Sequence, residues 1–198
     1  MQDQHRFNTK AWLLWTAGFL AFPIGGALAT ALTGRINDAG SALIGGMVVG
    51  AVIGTDQWLV ARRLLDAQTW IPATALAMGV GLAVGAWVVG YGTSLGELAL
   101  MGFITGIPLG AAQAYLLRDR VANAWVWAAA VPLLWALGWT VTTAGGIDVD
   151  QQFAVFGAYG AITFMALSRV LLDRLRATTR PAASTLDLDP ARSNVIAQ

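Results

Sequence analysis

The sequence predicts an all-α integral membrane protein, with six transmembrane helices arranged as three repeated helical hairpins. Three observations carry this expectation. Of the 198 residues, 57% are hydrophobic and 12% charged, whereas ordinary globular chains carry about 25% charged residues. The charges gather in short segments between long uncharged runs of spanning length. Finally, GMVVGAVIGTDQWLVAR, Gly46 to Arg62, returns 56 places later as GFITGIPLGAAQAYLLR, Gly102 to Arg118, and both copies read GxxxGxxxGxxQ followed by an arginine.

Residues 1–10 are polar, and the apolar run 11–33 then has about 23 residues, enough to cross a hydrocarbon core of about 30 Å at about 1.5 Å per residue. It exceeds the about 7 to 15 residues of a secretory h-region, and further apolar runs follow, so it reads as a span and not as a cleaved signal. Those runs cover residues 39–61, 70–90, 95–117, 124–141 and 153–172. Short connections make consecutive helices antiparallel neighbours. The bundle therefore occupies residues 1–175, with hairpins at about 11–62, 70–118 and 124–172. Residues 176–198 are small, polar and interrupted by Pro181 and Pro190, which predicts a disordered cytoplasmic tail.

Arg6, Lys10, Arg62, Arg63, Arg118, Arg120 and the arginines from Arg169 onward fall on one side, leaving Arg35 on the other. By the positive-inside rule both termini are cytoplasmic, in a cell (inner) membrane. Trp12, Trp58, Trp70, Trp125 and Trp127 gather near the cytoplasmic interface, and Trp87 and Trp139 near the outer one.

In the repeat, Gly46, Gly50, Gly54, Gln57 and Arg62 fall on Gly102, Gly106, Gly110, Gln113 and Arg118, with Trp70 matched to Trp125. A weaker third copy runs through Gly157, Ala161 and Met165. Units repeated in the same orientation are related by an axis along the membrane normal, which disfavours an inverted-repeat transporter.

Glycine at every fourth position drifts by only about 40° per step, leaving a smooth stripe on which a neighbouring backbone approaches closely. Gln57 lies within that stripe, Trp58 turns toward lipid, and Asp56 turns the other way. Helix packing is the favoured reading of the glycines. The rival reading has Gln57 and Gln113 facing a cavity, with Trp135, midway along the fifth span, lining it.

Asp56 is the one carboxylate clearly inside a span, where a charge costs about 2.5 to 3.5 kcal/mol at mid-membrane and less near a helix end. Arg63 shares its face and Arg169 lies at the same end of the sixth span, so an interfacial ion pair is expected. A proton or cation site is the sharper alternative. Pro23, Pro72, Pro108 and Pro132 fall in or just inside spans, where each removes a backbone donor and favours a kink.

Composition removes several activities. Cysteine is absent, the single histidine is His5 in the leader, and the single lysine is Lys10 at the edge of the first span. Thiolate metal sites, intramembrane imidazole ligands and a mid-helix Schiff base are therefore excluded, and no cofactor is expected. Neither a Ser/His dyad nor an aspartate pair is available within the spans, so an enzyme is not expected. No basic arm points to nucleic acid.

The pattern GxxxGxxQW followed by arginine, here Gly50, Gly54, Gln57, Trp58 and Arg62, resembles the repeated motif of uncharacterised small multi-pass bacterial membrane proteins. The second copy has Ala114 in place of the tryptophan. The resemblance implies a bacterial membrane location and an internally repeated bundle, and carries no activity. The expected role is a packing, assembly or lipid-binding membrane module, in contact with the lipid bilayer and with a membrane-protein partner or a second copy of the chain. The alternative is a small-solute carrier or the substrate-binding subunit of a transporter.

Overall fold

The computed structural model describes residues 9–147 and 159–177. Among these the chain is all-helical: α1 (Thr9–Ala17), a 3-10 turn (Gly18–Leu20), α2 (Ala21–Thr33), α3 (Ala39–Ala61), α4 (Ala67–Val88), α5 (Leu95–Leu117), α6 (Ala124–Ala144) and α7 (Tyr159–Ala177). The first two helices and the 3-10 turn between them form one continuous rod, Thr9–Thr33, so the architecture is six rods. The expected tail 176–198 starts within α7, which runs to Ala177; its residues from 178 on, Gly157 of the expected third copy and the first residues of the sixth expected span lie outside the described residues.

Five rods, Thr9–Thr33, α3, α4, α5 and α6, are long and apolar enough to cross a membrane. The sequence predicts six such segments; α7 differs because Arg169, Asp173, Arg174 and Arg176 occupy its second half. Its described part is 19 residues long, so no spanning window escapes those charges.

Helix ends follow local chemistry. Asp38 accepts from the Ser41 N–H at 2.8 Å ahead of α3, Asp66 from the Thr69 N–H at 3.2 Å ahead of α4, and Ser94 from the Glu97 N–H at 3.4 Å ahead of α5. Each satisfies a first-turn donor that has no partner within the helix. Gly34 and Gly90 close α2 and α4 with φ of 69° and 59°, a region glycine enters without a Cβ clash. The 3-10 turn in the first rod has a covalent cause. Pro23 has no N–H to offer the Phe19 carbonyl four residues back, and the Ala21 N–H instead bonds the Gly18 carbonyl three residues back.

Consecutive helices pack on one another, and α7 returns to α1, so the rods close into a ring. The glycine stripe of α3 lies against α4. A Cβ on Gly46 would meet Gly79 Cα at 2.8 Å, one on Gly50 would meet Ala75 Cα at 2.8 Å, and one on Gly54 would meet Ile71 Cα at 3.3 Å. The stripe of α5 lies likewise against α6, with Gly102 on Trp135 and Trp139, Gly106 on Pro132 and Gly110 on Ala128 and Val131. Both stripes thus sit at contacts inside the chain, where the missing side chains let backbones meet.

Candidate functional site

Gln57 and Gln113 each lie four residues before the end of their helices, α3 at Ala61 and α5 at Leu117. Both are 1% exposed. The Gln113 Nε2 amide donates to Gln57 Oε1 at 3.2 Å and to Thr74 Oγ1 at 3.3 Å. Gln57 Oε1 also accepts from the Trp70 indole N–H at 3.1 Å, and Gln113 Oε1 accepts from the Trp127 indole N–H at 3.1 Å. The result is one continuous buried chain, Trp127 to Gln113 to Gln57 to Trp70, spanning α6, α5, α3 and α4. Polar groups removed from water are costly unless paired, and indole N–H groups buried here find carbonyl acceptors.

Trp127, not Trp125, is the counterpart of Trp70. Trp127 is 1% exposed and Trp125 69% exposed. The connection 118–123 is one residue longer than 62–66, which moves the matching tryptophan from 13 to 14 residues beyond its glutamine. Trp70 and Trp127 therefore point into the bundle instead of joining the interfacial belt.

A further tryptophan and polar side chain form the same kind of pair where the ring closes. The Trp15 N–H donates to Ser168 Oγ at 3.1 Å between α1 and α7, and the Trp12 N–H donates to the Ala166 carbonyl at 3.1 Å. Sequence reasoning missed Ser168, although extending the third copy by three residues from Met165 reaches it. The missing signal is residue type, since serine replaces glutamine.

Trp135 is buried in a ring cluster with Phe22 and Phe164, at centroid distances of 5.9 Å and 5.5 Å. Phe22 and Phe164 meet edge-on at 6.1 Å. These buried rings join α2, α6 and α7, in tilted and edge-on geometries that aromatic quadrupoles favour.

The expected ion pair of Asp56 is not formed. Arg169 is held by Asp173, one turn on, with Nη2 to Oδ1 at 2.9 Å and Nε to Oδ2 at 3.1 Å, and lies 5.8 Å from the Trp15 ring centroid. Arg63 is exposed beyond the end of α3. Asp56 Oδ2 is buried against Gly18 and has no hydrogen-bond partner. The physical reason is direction: Asp56 faces Gly18 of the first rod, while Arg169 faces forward along its own helix to Asp173.

No group of three or more histidine, cysteine or acidic side chains among the described residues is placed to hold a metal. Comparison with protein-family models, curated proteins and solved structures returns no match.

Proposed function

We propose that the chain is a membrane-embedded structural module, built of three hairpins around one axis, whose centre is packed shut and whose outer surface engages lipid. The single observation that carries this reading is the continuous Trp127–Gln113–Gln57–Trp70 network. A solute carrier needs polar groups that are free to exchange partners with a substrate. Here the two glutamines are committed to each other and to indole donors. The aromatic cluster of Trp135, Phe22 and Phe164 supports the same conclusion.

The three tryptophan-to-polar pairs, Trp70 with Gln57, Trp127 with Gln113 and Trp15 with Ser168, support the threefold hairpin reading. Each joins the second helix of one hairpin to the first helix of the next. The glycine stripes serve these contacts, so they leave no smooth face for an outside helix. What remains outward is apolar: Leu13, Leu32, Ile44, Leu76, Trp87 and Leu133 are exposed, the composition that suits acyl chains. The arginine distribution further supports cytoplasmic termini in a bacterial cell membrane.

The test is purification of the full chain in mild detergent, followed by mass spectrometry of everything that accompanies it. Lipids without a stoichiometric solute are the expected result. A tightly held small solute overturns the reading in favour of a carrier.

A further inference from the structure

We propose that a membrane lipid with a primary ammonium headgroup docks in the groove between the 3-10 turn of the first rod and α3, its ammonium paired with Asp56. The inference rests on the membrane reading above and deepens it by naming the headgroup chemistry. The groove has a volume of about 480 Å³ and is lined by Leu20, Ala21, Ile24, Val52, Asp56 and their neighbours. Leu20, Ile24 and Leu59, all on its wall, are exposed on the outside of the bundle. The groove therefore opens where lipid lies.

Asp56 is the element that gives the groove selectivity. Its Oδ2 is buried against Gly18 without a hydrogen-bond partner, Asp56 itself lines the groove, Arg169 is engaged by Asp173, and Arg63 is exposed beyond α3. Thr55, the other polar side chain on the wall, bonds the Ala51 carbonyl of its own helix at 2.7 Å, so it does not satisfy the carboxylate. A buried charge without a partner is costly, and a carboxylate asks for donors. The glycine assists: Gly18 has no side chain, and the carboxylate occupies the place a Cβ would take.

The ligand chemistry follows from position. Asp56 is five residues from the end of α3 at Ala61, which is about 7.5 Å at about 1.5 Å per residue. That is a few ångströms inside a hydrocarbon core of about 30 Å, close enough to its edge for a headgroup ammonium to reach, while Ala21, Ile24 and Val52 continue deeper to receive an acyl chain. A primary ammonium brings positive charge and three N–H donors. A quaternary ammonium brings the charge without donors, and an anionic headgroup is repelled.

The experiment uses the full chain in nanodiscs holding equal parts phosphatidylethanolamine, phosphatidylcholine and phosphatidylglycerol, with retained lipids counted by native mass spectrometry. The wild type is expected to retain phosphatidylethanolamine over phosphatidylcholine on the order of tenfold, the worth of one charge-assisted hydrogen bond. Asp56→Asn, which keeps shape and removes charge, is expected to lose that preference while unfolding at the same temperature or higher. Equal retention of the two lipids by the wild type, or the same preference in Asp56→Asn, overturns the proposal. Failure of the chain to enter nanodiscs at all overturns the membrane reading instead.

Discussion

Gln113 Nε2 lies 3.2 Å from Gln57 Oε1, so two glutamines 56 residues apart in the chain meet as donor and acceptor of one buried hydrogen bond. Each also accepts an indole N–H, so removing Gln57 strands the Trp70 donor and takes one acceptor from the Gln113 amide, while removing Gln113 strands the Trp127 donor and takes one donor from Gln57 Oε1. Gln57→Leu and Gln113→Leu are each expected to destabilise the bundle by about 1 to 3 kcal/mol. The double variant should cost clearly less than the sum, since it removes both ends of the shared bond. Reversible unfolding in mixed micelles, followed by tryptophan fluorescence, measures the cycle. Strict additivity would mean that the bond contributes nothing.

The register of the two tryptophan partners gives a second prediction. Trp127→Phe keeps a ring in place and removes only the N–H that Gln113 accepts, an expected loss of about 1 kcal/mol. Trp125→Phe, at an exposed position, should change stability by less than about 0.5 kcal/mol. A larger effect at Trp125 than at Trp127 would reverse their assignment.

Glycines in the stripes differ from glycines at helix starts. At Gly50 an added Cβ would sit 2.7 Å from Met78 Cβ and 2.8 Å from the Thr74 carbonyl oxygen. Gly50→Ala is therefore expected to cost about 1 to 3 kcal/mol through overpacking. At Gly96, helical in the first turn of α5, nothing lies within 4 Å of the added atom. Gly96→Ala should stabilise by about 0.5 to 1 kcal/mol, because alanine loses less backbone freedom on folding. The same unfolding assay ranks the two, and equal effects would show that close approach does not decide.

Outside the spans, the Ser41 backbone N–H beside Asp38 holds its carboxylate below the ordinary value of 3.8. The sign follows from linkage: the cap's contribution is complete above 3.8 and is lost as pH falls through the lowered folded value. Hydrogen exchange at Ser41, corrected for intrinsic rates, should then lose protection on acidification only below that point. Asp38→Ala should show the unprotected rate throughout. Protection that fades well above 3.8 would assign the pH response to another group.

Much of the architecture was legible in the chain. Charge-free runs marked the rods, and Pro23, one of four prolines expected to favour a kink, stands just after the 3-10 turn Gly18–Leu20, because each acts through its own backbone neighbourhood. The recurrence of Gln57 and Gln113 marked the centre. Which tryptophan meets which glutamine was not legible, since the 118–123 connection is one residue longer than 62–66 and the helix start at Ala124 puts Trp127, not Trp125, in the fourth place that Trp70 takes in α4. Nor was the fate of Asp56: an ion pair depends on where a side chain points across two helices, and the i,i+4 pairing of Arg169 with Asp173 takes precedence. The charged half of α7 likewise counts against a sixth apolar span of the kind that composition predicts.

The claim of a closed centre is tested most directly by thiol accessibility, since the natural chain has no cysteine. Thr74 is 1% exposed and accepts from Gln113, whereas Asp119 is exposed in the connection after α5. Thr74→Cys and Asp119→Cys are placed singly in the full chain, reconstituted in membranes, and treated with a small membrane-permeant methanethiosulfonate. Asp119→Cys should be modified at once, and Thr74→Cys only after unfolding. Modification of folded Thr74→Cys at a comparable rate would contradict the closed centre and point to a water-filled path through the bundle.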